Sequence, residues 1–317
     1  MNELERIKQL NQALAQIVLP PQDEAQASSH KPNLYIIGCP RSGTTVLLQY
    51  LARTQIWDVP SNLMARFTSS PYIGLLVQQL LLDEGTLSPT NSDYKSHYGR
   101  SKGLLNTNEF FHFFRRYIDT IDIAHLSESQ IQNARIKEMF SKLNEPSRLS
   151  GKPFLTKAMM LQYNLTDFAA HCSKDIFLYT KREPIFTMQS IYQARIKETG
   201  CINTWWSAKP AQYPSLKDLP YASQIAGQVY YTEKAIEAGL RSLDSKRYVQ
   251  IAYEDLVSNP AGILNSICDK YQQNGFDLPA TTLSQTPLSN QNTEKLDPSI
   301  LAQLQQAYAD LQQKHGM

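Results

Sequence analysis

Leu34-Tyr-Ile-Ile-Gly-Cys-Pro-Arg-Ser-Gly-Thr-Thr-Val-Leu-Leu-Gln-Tyr-Leu-Ala-Arg53 runs from a short apolar block, through a turn, into a helical pattern. The apolar residues of 33–39, bounded by turn formers, read as a buried strand. Residues 44–53 read as a helix. Strand, glycine-bearing turn and helix in succession make the opening half of a parallel βαβ unit. Within the turn, Gly38 and Gly43 fit the G-x-x-x-x-G skeleton of a phosphate-cradling loop. Unpaired backbone N–H groups and the positive end of the helix dipole face an anion there.

Upstream, apolar positions Leu4, Ile7, Leu10, Leu14, Ile17 and Val18 predict a helix over 4–18 that Pro20-Pro21 stops, and polar residues 22–30 form a linker. This helix is expected to pack on its own domain, with a neighbouring molecule as the alternative. Downstream, helical spacing recurs at 71–84, 108–118 and 128–143, with a polar loop at 85–102. Further buried strands are expected at 153–157, 175–180 and 247–252. Helices follow them at about 163–172, from Pro184 to about Lys197, and after Pro260. This alternation predicts an α/β fold, three layers (α/β/α) around a central parallel sheet, P-loop-NTPase-like, with a helical insertion between the first strands. One domain is expected over 31–317, preceded by the N-terminal helix and linker at 1–30.

Composition narrows the function classes. A chain of 317 residues, 42% hydrophobic, buries a core without disulfides or a structural metal. Lys and Arg number 31 against 29 acids, for a net charge of +2 with no basic stripe, which argues against gripping nucleic acid. The longest apolar stretch, 73–82, is interrupted by Gln78 and Gln79 and falls short of the ~20 residues of a spanning helix. The acid-bearing N-terminus does not read as a secretory signal, so a cytoplasmic protein is expected. Cys39, Cys172, Cys201 and Cys268 are irregularly spaced, without a C-x-x-C pair or a histidine at ligand spacing. They read as reduced thiols, neither a zinc site nor a disulfide framework.

The loop departs from an ATP-binding one at a telling position. Thr44 stands where a Walker A loop carries Lys, and no Asp ends an apolar strand as a Walker B magnesium ligand does. A cation appears instead as Arg41, whose fork of donors suits a terminal oxyanion. A second cationic point, Lys181-Arg182, ends the strand 176–180 beside the crevice where such sheets bind ligands. Ser190, eight residues beyond Arg182, lies about two turns into the adjoining helix, so charge and hydroxyl converge on a second phosphate.

These segments carry a resemblance. Pro40-Arg-Ser-Gly-Thr-Thr45 resembles the 5′-phosphosulfate loop of sulfotransferases that use 3′-phosphoadenosine 5′-phosphosulfate (PAPS). Arg182 followed by Ser190 is similar to their 3′-phosphate motif. Lys157 on a preceding strand and Tyr253-Glu-Asp-Leu256, followed by Asn259-Pro260, also fit, in the family's order. The resemblance implies PAPS as co-substrate, 3′-phosphoadenosine 5′-phosphate (PAP) as product, no metal, and a carbohydrate or small-metabolite acceptor offering a hydroxyl or amine. It assigns the N–H groups of Ser42, Gly43, Thr44 and Thr45 to the 5′-phosphate, and Arg41 and Lys157 to the bridging oxygen. The insertion at about 60–150 falls on the acceptor side. Glu183 stands after Arg182 where many relatives have Asp.

The general base does not carry over. Met159 occupies the place of the histidine used by relatives acting on phenols and steroids, and 59–63 lacks the Glu of the tyrosylprotein branch. Glu109, opening the predicted helix 108–118 in an aromatic setting that raises a carboxyl pKa, is the candidate. Its other reading is a first-turn acid placed for the helix dipole. His112, three residues on, is the second choice. Trp205 and Trp206 are candidates for stacking on adenine or walling the acceptor pocket. Asn290 and Lys295, in the loop 287–295, are candidate 3′-phosphate donors, with a plain surface loop as the other reading. Two alternatives stay open: a P-loop-type kinase, and a non-catalytic nucleotide-binding protein of the same fold.

Overall fold

The computed structural model describes residues 2–17, 31–88, 96–97, 100–279 and 288–315. Its main sheet holds four parallel strands, β1 (Leu34–Gly38), β2 (Leu155–Lys157), β3 (Ile176–Lys181) and β4 (Tyr248–Ala252), in the spatial order β2-β1-β3-β4. Leu34 lies opposite both Leu155 and Ile176, and Gly38 opposite Thr180. Thirteen helices complete the described fold. They are α1 (Glu3–Leu14), α2 (Thr44–Arg53), α3 (Pro71–Asp83), α4 (Phe111–Phe114), α5 (Glu128–Asn133), α6 (Ile136–Ser150) and α7 (Leu165–Ala169), then α8 (Pro184–Thr199), α9 (Tyr213–Leu216), α10 (Tyr221–Arg241), α11 (Tyr253–Ser258), α12 (Pro260–Gln273) and α13 (Pro298–His315).

Every residue of β1 is buried, and strand alternation divides them between two faces. Leu34 and Ile36 pack with Leu47 and Leu51 of α2 and Ile267 and Tyr271 of α12. Tyr35 and Ile37 face the other way, into a cluster with Phe113, Phe140, Leu161 and Phe168. Helices therefore cover both faces, which is the three-layer arrangement expected. Burial on both sides also explains why the strands read as continuous apolar blocks rather than alternating ones. A third cluster joins α8, α10 and α13 through Met188, Ile191, Val229, Leu301 and Leu304. Among the described residues, no helix is long and apolar enough to cross a membrane.

Between α2 and β2 lies the helical insertion, where α3 packs on α6. Its details differ from the periodicity. The helix expected over 108–118 shrinks to one turn, because the Asn108 side chain accepts the Phe110 N–H and Phe110 takes a left-handed φ of 59°. Short polar side chains compete with the helix ladder in this way, so Glu109 lies outside the helix rather than in its first turn. The helix expected over 128–143 breaks at Ala134, whose backbone is extended, and resumes at Ile136. The stretch expected as a helix at 163–172 is a 3-10 turn, Met159–Asn164, followed by α7. The N-terminal helix ends at Leu14; the expected stop at Pro20-Pro21, the linker 22–30, part of the loop 85–102 and Pro287 lie outside the described residues. Asn11 docks α1 on the chain, donating to the Arg66 carbonyl and accepting from the Ser69 N–H.

Asp175, at the foot of β3, accepts from the Asn33 N–H and the Tyr35 hydroxyl. Burial pushes its carboxyl up to about 6, against an ordinary value of about 3.9. The folded chain then holds a proton that the unfolded chain has lost, so this group's contribution to stability falls as pH rises from about 4 through 6. Asp175→Asn keeps an acceptor for Asn33 and removes the titration. Urea unfolding at pH 4 and pH 8 should show the variant losing roughly 1–3 kcal/mol less than the wild type over that interval. An unchanged interval would count against the buried titration.

Candidate active site

A cleft of about 640 Å³ opens at the carboxyl ends of all four strands, lined among others by Arg41, Lys157, Arg182 and Tyr253. The loop after β1 is held tightly. A Cβ on Gly38 would stand 2.5 Å from Thr180 Oγ1, and one on Gly43 2.7 Å from the Tyr253 ring. Gly43, at φ 101°, is the N-cap of α2 and supplies no side-chain cap. The opening N–H groups of that helix, from Thr44 onward, have no carbonyl one turn back and are directed to whatever occupies the cleft. Ser42 departs from expectation, because its N–H is donated to the Cys39 carbonyl at 3.1 Å and its hydroxyl pairs with Thr180 at 2.9 Å. It shapes the loop and is buried beneath it, while Pro40, Gly43, Thr44 and Thr45 line the cleft.

The two cationic points are one unit. Arg41, in a left-handed conformation (φ 72°), donates from Nε to Ser190 Oγ at 2.8 Å, while its carbonyl accepts from Arg182 Nη1 at 3.2 Å. Ser190, expected to converge with Arg182 on a phosphate, is here bonded to Arg41, which in turn is bonded through its carbonyl to Arg182. Arg182 also donates to Asn292 Oδ1 and the Gln291 carbonyl, and its guanidinium lies 4.7 Å from the centre of the Tyr253 ring. Burial holds its pKa below the ordinary value, against the opposing pull of Tyr253 and Glu254, and Arg41 lowers it further. A buried cation beside another cation, bonded to neutral carbonyls while the Glu254 carboxylate is bonded to Asn292, is a setting that an anion relieves.

Lys157, at the end of β2, donates to Thr45 Oγ1 at 3.1 Å and forms an ion pair with Glu109. Glu109 therefore faces a buried ammonium instead of the aromatic enclosure expected of it. The neighbouring rings, with Phe110 and Phe113 stacked at 4.8 Å, turn into the core. His112 is exposed on α4 and does not line the cleft. Trp205 is likewise not in the cleft: its Nε1 donates to the Ala208 carbonyl, and the Arg195 guanidinium lies 5.0 Å from its ring centre. Trp206 lines the cleft instead. Asn290 accepts from the Asn292 N–H and stays outside, whereas Lys295 lines the cleft.

Several participants escaped the sequence reading. Gln291 and Asn292 reach Arg182 in place of Asn290, and Gln189 fixes the same loop by bonds to the Thr293 carbonyl and the Lys295 N–H. Arg195, fully buried, donates to Gln224 and Gln228, and Gln228 in turn holds the carbonyls of Trp206 and Ala208. The available signal was an arginine placed among the apolar positions of α8. Among the described residues, no group of three or more His, Cys, Asp or Glu is placed to hold a metal ion.

A family model described as the sulfotransferase family matches residues 32–274, the span carrying all four strands. The chain is a sulfotransferase. Solved structures similar to it include the sulfotransferase STF1 from Mycobacterium tuberculosis H37Rv, at 15% identity over 97% of this chain and 86% of that one, with a TM-score of 0.50. A sulfotransferase domain from the curacin biosynthetic pathway is 18% identical over 76% of this chain and 74% of its own, at a TM-score of 0.44. No curated protein sequence matches. For this sulfotransferase the likeness to STF1 shows the fold, a P-loop-like arrangement around a central parallel sheet.

Proposed function

We propose that the enzyme moves a sulfuryl group from PAPS to a hydroxyl of a small-molecule acceptor, releasing PAP. The observation that carries this reading is the linkage of Arg41, Ser190 and Arg182 into one cationic group over the α2 N-terminus, with Lys157 beside it. A donor with two separated phosphate positions fits that set: the residues present are cations, hydroxyls and helix-opening N–H groups. The donor supplies the activated sulfuryl group. Gly43, Thr44 and Thr45 hold the 5′-phosphate end, and Arg182, Ser190 and Lys295 hold the 3′-phosphate. Arg41 and Lys157 stabilise the charge that develops on the leaving oxygen, which is where fixed donors contribute most. Glu109, within ion-pair reach of Lys157, accepts the acceptor proton. No residue in this scheme requires a metal.

Calorimetric titration with PAP, without magnesium, tests the donor site, with 5′-AMP and ATP as controls. Arg182→Ala should weaken PAP binding roughly tenfold to a hundredfold, through loss of a charge-assisted contact, and leave 5′-AMP nearly unchanged. Equal losses for both nucleotides would remove the 3′-phosphate assignment, and preference for ATP with magnesium would return the kinase reading.

A further inference from the structure

Two kinds of residue line the cleft. Arg41, Arg182 and Lys295 come from segments that follow β1 and β3 and precede α13, and they supply its cationic lining. Phe111, Ile121, Ile123, Met159, Met160 and Trp206 supply an apolar lining. Glu109 precedes Phe111 by two residues and Lys157 precedes Met159 by two, so the Lys157–Glu109 pair adjoins the apolar residues in sequence. From this lining we infer that the acceptor is an apolar alcohol, a hydroxyl on a hydrocarbon skeleton, rather than a sugar; the inference rests on the sulfuryl-transfer reading of the cleft.

Three observations support it. Met159 and Met160 are almost wholly buried, at 3% and 2% exposure, so the deep wall is unbranched, polarizable and able to follow an irregular apolar shape. Ile121, 76% exposed, is the most exposed large apolar side chain among the described residues, and it stands on this wall. The apolar lining thus includes residues adjoining the reacting pair in sequence, Phe111 and Met159, and the exposed Ile121. Of the charged groups at this end, Asp122 is paired with Lys209 at 2.7 Å, and the exposed Arg115 donates to the Ile121 carbonyl at the rim. Gln193, one turn beyond Ser190 on α8, and Ser207 are the uncharged polar groups near this end. A sugar brings a hydroxyl on nearly every carbon, and each needs a partner once water is removed. An apolar alcohol needs a partner only for its reacting hydroxyl, and predominantly apolar lining with a few orienting polar groups suits that ligand.

The test uses the full chain loaded with PAP and two probes, 2-naphthol and cellobiose, with binding read by calorimetry. Binding of 2-naphthol without measurable binding of cellobiose is expected. Ile121→Glu, at an exposed position that the fold does not depend on, should weaken 2-naphthol about tenfold or more while PAP affinity stays the same. Binding of cellobiose in preference, binding of neither probe to the PAP-loaded enzyme, or 2-naphthol binding indifferent to Ile121→Glu would overturn the acceptor class. Failure of PAP itself to bind is a separate result and would overturn the donor reading instead.

Discussion

Arg41→Ala is expected to lower the rate of sulfuryl transfer roughly a thousandfold while the protein remains folded, since removal of a single preorganised donor to a developing oxyanion costs about 10²–10³ in rate. One feature of the loop places the effect at the high end and another keeps it interpretable. Arg41 is tied by Nε to Ser190, so the substitution unties the serine as well as removing the charge. Its carbonyl, which steadies Arg182, survives, so the variant reports on the side chain rather than on a collapsed loop. Arg41→Lys provides the contrast: an ammonium keeps the charge but cannot bond Ser190 through a fixed fork and face the donor at once. It should recover only part of the loss. Near-normal turnover by the alanine variant, measured at saturating PAPS, would dismiss Arg41 from the chemistry.

The second large effect is expected from Glu109→Gln. A positioned general base is worth about 10²–10⁴ in rate, and the amide cannot take a proton. An alternative role exists, because Glu109 is also the counter-ion of a lysine whose side chain is only 4% exposed. The two roles separate by acceptor. If Glu109 removes the proton, an acidic phenol that ionises readily should suffer far less than an aliphatic alcohol, while PAP affinity holds. If it only holds Lys157, both acceptors should fall together, as they should in Lys157→Met. Equal losses in the glutamine variant would therefore move proton removal elsewhere.

Much of the donor side was legible because its signals are local. Gly38, Arg41, Gly43 and Thr44 lie within seven residues, and their roles follow from the strand–turn–helix geometry that those residues themselves impose. The eight-residue spacing from Arg182, at the end of a strand, to Ser190, on the next helix, is readable in the sequence, but the bond from Arg41 to Ser190 is not, because it spans 149 residues. The acceptor side was harder to read. Glu109 was placed inside a helix by apolar periodicity, and a single asparagine, Asn108, overrode that pattern by capturing the Phe110 N–H. Trp205 and Trp206 are indistinguishable by composition. What separates them is Arg195, buried in α8, which sits against one ring while Gln228 holds the backbone that carries the other into the cleft. Gln291 and Asn292, not Asn290, meet Arg182, because which side chains of a loop turn inward depends on turns that leave no periodic trace.

The position of β1 in the sheet also has a consequence for synthesis. Its neighbours are β2 and β3, and Leu34 pairs with Leu155 and Ile176, residues made long after it. At about 5–20 residues per second, β1 waits on the order of ten seconds after its own synthesis before either partner exists. During that interval the nascent chain carries a fully apolar strand with both edges open, which is the state that pairs wrongly with other chains. Until β2 and β3 are made, shielding of those two edges is what keeps the segment from pairing with other chains.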